Sequence, residues 1–249
     1  MGLFLSIYDC EIPLGINKDG IYTTIMDANH ISMLTFKAKS TIFEFFHTSK
    51  DIKIGIDQEE IKKFLKKGYE EEVTADLSKI SYNGEEISIL LTKKDQKLER
   101  TFFLKSYYTT YGPNNYKLPD LNYSYKITLK AEIFKTVLQD CYKIQDNFSL
   151  FFREESENKF WAEAHYEKSY SYVAIIEDTI KIEGQGNAEG NYNLSMLVDI
   201  LPFLRDEITI YLGHEIPLII DFKLWGADCS YCLAPRAEKG EEEGEICNK

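Results

Sequence analysis

The sequence predicts an α+β protein built from two similar halves, each combining a β-sheet with helices. Short runs rich in Ile, Tyr, Phe and Val, such as residues 86–92 (EISILLT) and 207–213 (EITIYLG), have the length and alternation of strands. Few segments show helical spacing of apolar residues. The order of helix, acidic residues and strand occurs twice, about 135 residues apart, which indicates an internal duplication.

The composition of the 249-residue chain is typical of a folded protein from a reducing compartment. Hydrophobic residues make up 44% of the chain, enough for a sizeable core. The apolar runs are far shorter than the roughly 20 residues of a membrane span, and residues 1–15 lack the basic start and cleavage site of a signal peptide. Five scattered cysteines, an odd number, predict free thiols rather than a disulfide framework.

Charge argues against a nucleic-acid partner unless it is unevenly distributed. The formal net charge is -12, and acidic proteins repel a polyanion. Positive charge is concentrated in one predicted helix, residues 57–69 (DQEEIKKFLKKGY), where Asp57 is placed as N-cap and the lysines lie opposite an apolar stripe. Two further helices are predicted within residues 130–144 and 193–207, and Pro202 should end or kink the last one.

The predicted domains are an N-terminal domain (1–105), a Pro- and Asn-containing connector (106–122), a C-terminal domain (123–236) and an acidic, disordered tail (237–249). The second half has an additional strand and helix start, residues 123–137, before the shared register begins. The matching residues of the first half would precede Met1. Either the natural start lies upstream, or the first domain lacks its first strand and much of its first helix.

A Cys-x-x-Cys pair, Cys229 and Cys232, raises the question of a metal or redox site. Side chains alternate along a strand, so on a strand these thiols would point to opposite faces and could not converge on one zinc ion. The sequence has no second pair, and its four histidines show no ligand spacing. We therefore expect two small strand residues and neither a metal nor a cofactor.

Four segments together resemble the sliding-clamp family of proliferating cell nuclear antigen (PCNA). They occur in the family's order and spacing: residues 19–34 (DGIYTTIMDANHISML), 117–127 (KLPDLNYSYKI), 212–224 (LGHEIPLIIDFKL) and 231–236 (YCLAPR). The resemblance implies duplicated DNA-clamp domains, with antiparallel sheets outside and helices lining the inner face of a three-subunit ring. Such a ring encircles duplex DNA and tethers replication and repair enzymes without catalysing a reaction.

The resemblance also implies partners and a location. Besides duplex DNA, the expected partners are DNA polymerase, clamp loader, nuclease and ligase, which would bind through PCNA-interacting peptides. Two further subunits would complete a homo- or heterotrimer. No membrane association is implied. The location would be the cytoplasm (nucleoid) of an archaeon, or the nucleus if the source is eukaryotic or viral.

The residues expected to face DNA follow from the family's helices. Lys63 and Lys66 match family positions that face DNA, whereas Gln139 and Asp140 stand where a lysine is common. Without the resemblance, a plain solvated helix face would be the better interpretation. The full set is Lys62, Lys63, Lys66, Lys67, Lys130, Lys135, Lys143 and Arg205.

The resemblance further implies a groove for peptides of the form Q-x-x-aliphatic-x-x-aromatic-aromatic. Cys232 replaces a frequent aromatic there, which should alter peptide preference. Taken singly, several of these residues are equally typical of an ordinary core. The groove set is Met26, Ile31, Tyr116, Leu118, Pro119, Tyr123, Pro217, Ala234 and Pro235.

Subunits of this family join edge to edge through two strands. In this chain the candidates are residues 98–105 (LERTFFLK) and 170–177 (YSYVAIIE), and an unpaired edge of this kind needs a partner or protection. The residues expected at the subunit interface are Phe102, Phe103, Tyr172 and Ala174.

Two other functions compete with a working clamp. An enzyme finds little support, because the sequence has no phosphate loop, nucleophile elbow or zinc-protease motif; Asp27 and His30 could form an acid–base pair but lie inside the clamp-like strand-turn segment. The second alternative is a clamp-fold scaffold, or a subunit of a heterotrimer, that does not encircle DNA by itself.

Overall fold

The computed structural model describes residues 11–57, 77–93, 98–107, 116–118, 120–144, 147–152, 160–166, 170–176 and 181–236. No helix among these residues is long and apolar enough to cross a membrane. The described part of the first half forms seven strands: β1 (Ile12–Asn17), β2 (Gly20–Met26), β3 (Ser32–Lys39), β4 (Ile52–Ile56), β5 (Leu77–Tyr82), β6 (Glu86–Lys93) and β7 (Leu98–Tyr107).

The second half contributes nine described strands and two α-helices. The strands are β8 (Tyr125–Lys130), β9 (Asn147–Phe152), β10 (Phe160–Tyr166), β11 (Tyr170–Ile176), β12 (Lys181–Gly184), β13 (Ala188–Asn193), β14 (Glu207–Leu212), β15 (Leu218–Leu224) and β16 (Ala227–Leu233). The helices are α1 (Ala131–Tyr142) and α2 (Leu194–Val198), with short 3-10 turns at Ser40–Ile42 and Leu201–Phe203.

The strands form two antiparallel sheets that repeat one pattern. The small sheet has the order β11-β10-β9-β13, and the large one has the order β12-β8-β14-β15-β16-β3-β2-β1-β4-β7-β6-β5. Within the large sheet, β3-β2-β1-β4 repeats the small sheet's order, and the meander β5-β6-β7 corresponds to β14-β15-β16. β1 begins at Ile12 and β9 at Asn147, 135 residues later (147 − 12), so the predicted duplication is confirmed.

Strand alternation separates an inner face of the large sheet from an outer one. In β15, for example, Phe222 and Leu224 are buried in the main core while Lys223 between them is exposed. Helix α1 packs against β8 of the large sheet and against β10 and β11 of the small one, and it buries Phe134 and Leu138 completely. The core therefore lies on the side of the helices, and the opposite face, called the outer face below, faces solvent.

The last predicted helix is short, as Pro202 led us to expect. Helix α2 begins after Asn193, whose side-chain oxygen accepts a hydrogen bond from the Ser195 N–H at 3.1 Å and so caps the helix. The helix ends at Val198, and Pro202 then lies in the first turn of a 3-10 helix, where its missing N–H is tolerated. Residues 58–69 of the predicted helix lie outside the described residues.

Glycine at position 20 is required by the turn between β1 and β2. Its φ of 142° belongs to a region that L side chains rarely adopt, and a Cβ there would lie 2.0 Å from the carbonyl oxygen of Ala38. Gly84 also has a positive φ of 112°, but no atom of the described residues lies within 4 Å of its Cβ position.

We expect Gly20→Ala to lower the free energy of unfolding by roughly 3 kcal/mol, because backbone strain and a backbone clash act together. The matched control Gly84→Ala carries the strain alone and should cost about 1 kcal/mol. Urea unfolding of both variants measures the difference; equal losses would contradict a close approach at Gly20.

Candidate protein-binding groove and DNA-facing surface

A row of apolar side chains crosses five strands on the outer face. Met26 lies directly opposite Met33, Met33 opposite Cys232, Cys232 opposite Ile219, and Ile219 opposite Tyr211. Met33, Cys232 and Ile219 are buried although they lie on the solvent side of the sheet. This groove row is therefore covered by another part of the chain.

The cover comes from the end of the connector and the residue that follows it. Tyr116, Leu118 and Tyr123 pack against the groove row and are themselves partly buried. The structure thus brings together four of the residues predicted from sequence, namely Met26, Tyr116, Leu118 and Tyr123. Pro119 lies outside the described residues.

Sequence reasoning missed three members of the groove row, Met33, Tyr211 and Ile219. A signal was available for Met33 and Ile219. Met33 lies two residues beyond Ile31 in the matched segment and Ile219 two beyond Pro217, and residues two apart on a strand point to the same face. Tyr211 lay on a predicted strand, but only pairing with β15 brings it to the groove.

The rim of the groove is a tight turn held by Asp27. The Asp27 carboxylate accepts hydrogen bonds from the N–H groups of Ile31 at 2.7 Å and Ser32 at 2.5 Å, and the His30 ring meets the edge of the Tyr116 ring at 6.5 Å. Asp27 is thus committed to shaping the turn, and this geometry does not make it the base of an acid–base pair with His30. Ile31 is held at the surface with 40% of its area exposed.

The remaining predicted groove residues, Pro217, Ala234 and Pro235, are half-buried at the same end of the sheet. Leu218 pairs with Leu233, which places Pro217 and Ala234 immediately beyond that pair. The Ala234 N–H donates to the Ile31 carbonyl at 2.8 Å. This bond ties the segment after β16 to the rim.

Two polar groups interrupt the apolar floor. The Tyr123 hydroxyl is buried and has no hydrogen-bond partner among the described residues, and burial, with smaller contributions from Cys232 and Asp221, raises its pKa. Its ring lies edge-on to Tyr211 at 5.8 Å. Burial also raises the pKa of Asp221, although its carboxylate accepts hydrogen bonds from the Ser230 and Tyr211 hydroxyls. The unpartnered Tyr123 hydroxyl therefore lowers the stability of the free protein.

The two cysteines of the Cys-x-x-Cys pair lie on opposite faces of β16, as expected. Cys229 belongs to the main core and Cys232 to the groove row. Burial raises the pKa of Cys232 to about 11 and that of Cys229 to about 12. Both are protonated thiols near neutral pH, and their opposite orientations prevent shared ligation of one ion.

The residues expected to face DNA divide into two groups. Lys62, Lys63, Lys66 and Lys67 lie outside the described residues. On the second half, Lys130 and Arg205 are exposed, whereas Lys135 pairs with Glu132 at 2.7 Å and Lys143 with Asp140 at 2.6 Å. Gln139 is exposed on the same helix. Among the described residues, the positive charges on this helix face are therefore largely neutralised by acidic residues of the same helix.

The predicted interface strands both present an open edge among the described residues. β11 pairs with β10 on one side. β7 faces β4 along one edge, and among the described residues it pairs with β4 only at Ser106 and Tyr107. Phe103 is 62% exposed. By register, Phe102 lies opposite Ile89, Tyr172 opposite Ala164 and Ala174 opposite Ala162.

Comparison with known proteins matches this fold and its motifs. Residues 7–108 match the family model described as "Proliferating cell nuclear antigen, N-terminal domain". The chain is 27% identical over 240 residues to a protein named "DNA polymerase sliding clamp" from Methanococcus maripaludis, covering 92% of this chain and 90% of that protein. It is 26% identical over 235 residues to a protein of the same name from Pyrococcus furiosus, with the same coverage.

A solved structure extends the match to the whole fold. The crystal structure of PCNA from Thermococcus kodakaraensis superposes with a TM-score of 0.82 at 18% identity and covers 94% of this chain and 95% of its own. The predicted clamp fold is thereby confirmed. The family model matches residues 7–108 and the relatives span nine tenths of the chain, so the chain resembles the PCNA family of sliding clamps over most of its length.

Proposed function

We propose that this chain is a subunit of a DNA sliding clamp that encircles duplex DNA and tethers polymerase and repair enzymes to it. The observation that carries the proposal is the apolar groove row on the solvent side of the sheet, covered by the connector, in a chain that resembles the PCNA family. A solvent-facing row of this kind serves partner binding better than stability, because the chain already has a separate and larger core. The chain acts as a tether and contributes no catalytic step.

The groove binds peptides through apolar anchors. Met26, Met33 and Leu118 supply flexible walls that suit an aliphatic side chain, and Tyr123 and Tyr211 supply edges against which aromatic anchors stack. Cys232, at the centre of the floor, is smaller than the aromatic residue that the resemblance would place there. DNA polymerase, clamp loader, nuclease and ligase would each dock by such a PCNA-interacting peptide.

The ring closes through the open edges of β7 and β11. An exposed strand edge promotes association with another strand, and two complementary edges on one chain generate a closed ring when the rotation between copies fits. Three copies, each with two similar halves, give six domains. The same edges would serve a heterotrimer, and the names of the relatives do not favour the alternative of a scaffold that never encircles DNA.

DNA is held weakly on the inner side. Of the second-half residues expected to face DNA, Lys130 and Arg205 are exposed, and ion pairs with Glu132 and Asp140 reduce the contribution of Lys135 and Lys143. Most of the attraction then falls to the lysines of residues 57–69 in the first half. A weak, sequence-independent contact suits a protein that slides. The archaeal source of the relatives favours the archaeal cytoplasm as its location.

Ring closure is tested with Phe103→Glu, which places a charge on the open part of β7. The unaltered chain should have a mass about three times 28.9 kDa by light scattering and should remain on a nicked circular plasmid in high salt until the plasmid is linearised. We expect Phe103→Glu to have the mass of one chain and to lose this retention.

The matched control is Tyr107→Glu, an exposed position of the same strand that already pairs with β4. It should keep the three-chain mass. A single-chain mass for the unaltered protein at every concentration would contradict the self-assembling ring.

Groove binding is tested with Ile31→Glu at the rim. A labelled peptide of the form Q-x-x-Leu-x-x-Phe-Phe should bind at least about 10-fold more weakly, because a charge replaces an apolar anchor contact. Ile42→Glu is the matched control, since Ile42 has the same 40% exposure at the other end of the sheet. Equal weakening by both variants in fluorescence anisotropy would exclude the groove as the binding site.

Tyr123→Phe separates stability from binding. Because the Tyr123 hydroxyl has no partner in the free protein, its removal should leave the free energy of unfolding unchanged or raise it by about 1 kcal/mol. Peptide affinity should fall if the peptide satisfies that hydroxyl. Tyr192→Phe is the contrast, because the Tyr192 hydroxyl donates to the Ile216 carbonyl at 2.9 Å, and its loss should cost about 1–2 kcal/mol. Equal destabilisation would show that Tyr123 is satisfied after all.

A further inference from the structure

A second row of side chains crosses the outer face parallel to the groove row. Lys53 and Tyr22 both lie opposite Gly15, Tyr22 lies opposite Lys37, Lys37 opposite Asp228, and Asp228 opposite Lys223. Lys37 is four residues from Met33 on β3 and points to the same face, so the two rows are about 13 Å apart. Three lysines and one aspartate thus share one line across the sheet.

This line is basic in a chain whose formal net charge is -12. Asp228 is shared between Lys223 and Lys39, whose Nζ lies 3.6 Å from its carboxylate. Lys37 and Lys53 are exposed and have no ion-pair partner recorded among the described residues. We call Lys37, Lys39, Lys53 and Lys223 the basic band. In the adjoining turn Lys18 and Asp19 offset each other, so the band keeps an excess of positive charge.

A polar strip connects the groove row to the basic band. Thr24, Thr35, Ser230, Asp221 and Thr209 lie opposite one another in that order. Asp221 is the single carboxylate of the strip; its pKa is raised and its oxygens already accept from Ser230 and Tyr211. The strip therefore offers hydroxyl groups to a chain lying across it, and Asp221 is its one carboxylate.

We propose that the partners of this groove carry an acidic flank beside their apolar anchors, and that this flank binds the basic band. The proposal rests on the proposed peptide-binding function of the groove and specifies its partners further. An extended chain covers 13 Å in about four residues, so the acidic side chains belong about four to six residues from the anchors. Charge complementarity of this kind selects partners and speeds association more than it adds affinity.

Continuity with the groove favours a peptide over a nucleic acid as the occupant. The basic band is one row deep apart from Lys39, and it is bordered by the polar strip that leads to the apolar anchors. A peptide anchored in the groove reaches the band at high effective concentration, which offsets the modest worth of exposed ion pairs.

The test uses three labelled peptides of the form Q-x-x-Leu-x-x-Phe-Phe, with a flank of Gly-Ser, of three Glu or of three Lys, the flank being placed at either end in separate versions. At low salt, one Glu-flanked version should bind about 5-fold more tightly than the Gly-Ser version, and the gain should shrink in 0.5 M salt. The double variant Lys37→Gln, Lys53→Gln should lose that gain and keep its affinity for the Gly-Ser peptide.

The matched control is Lys135→Gln, Lys143→Gln, which removes the same charge on and just after helix α1 and should keep the gain. No peptide binding at all would contradict the groove itself, whereas Gly-Ser binding without a gain from either Glu flank would overturn only the acidic-flank proposal. A Lys flank that binds as tightly as the Glu flank would also overturn it, because the overall negative field would then dominate. The proposal would also be overturned if a labelled dT12 oligonucleotide bound more tightly than the Glu-flanked peptide and lost that affinity in the Lys37→Gln, Lys53→Gln variant.

Discussion

The pairing of β16 with β3 is the interaction on which the rest of the structure depends. Six residue pairs, from Asp228 opposite Lys37 to Leu233 opposite Ser32, join the second half of the chain to the first and make one 12-stranded sheet. The same ladder aligns Met33 with Cys232 in the groove row and Lys37 with Asp228 in the basic band. Because side chains alternate along a strand, a slip of one residue would turn both rows to the wrong face.

The two faces of this sheet have separate tasks. The inner face is continuous with the main core, in which Leu34, Tyr231 and Ile220 are fully buried, and it supplies the stability of the fold. The outer face contributes little to that core, so its residues can change without loss of the fold. It carries an apolar groove row, a polar strip and a basic band in succession. This separation lets one rigid sheet present a binding surface at little cost in stability.

In the second half of the molecule, positive and negative charges largely cancel each other along helix α1. Lys135 of helix α1 and Lys143, just after it, each pair with an acidic residue of the helix three positions earlier, so little net charge remains for a polyanion. Exposed ion pairs of this type are individually weak, and they leave the helix face nearly neutral rather than strongly stabilised. A clamp subunit built this way would hold DNA mainly by enclosure.

The sequence by itself determined the strands with clear alternation, such as β14 and β15, and the helix of residues 131–142, because local periodicity reports which face is buried. It also indicated the clamp fold and half of the groove, since Met26, Leu118 and Tyr123 lie within recognisable segments. The sequence did not predict the strands that consist mostly of polar residues. β13, with the sequence AEGNYN, has no β-branched residue and one large apolar side chain, and it is a strand because β9 pairs with it.

Only the tertiary structure decided the composition of the two outer rows. The groove row and the basic band each draw single residues from several strands that are far apart in sequence, such as Lys53, Lys37 and Lys223. Their alignment depends on register between distant strands, which long-range pairing sets and no local pattern records. For the same reason the charge run in residues 57–69 was visible from the sequence, whereas the basic band was not.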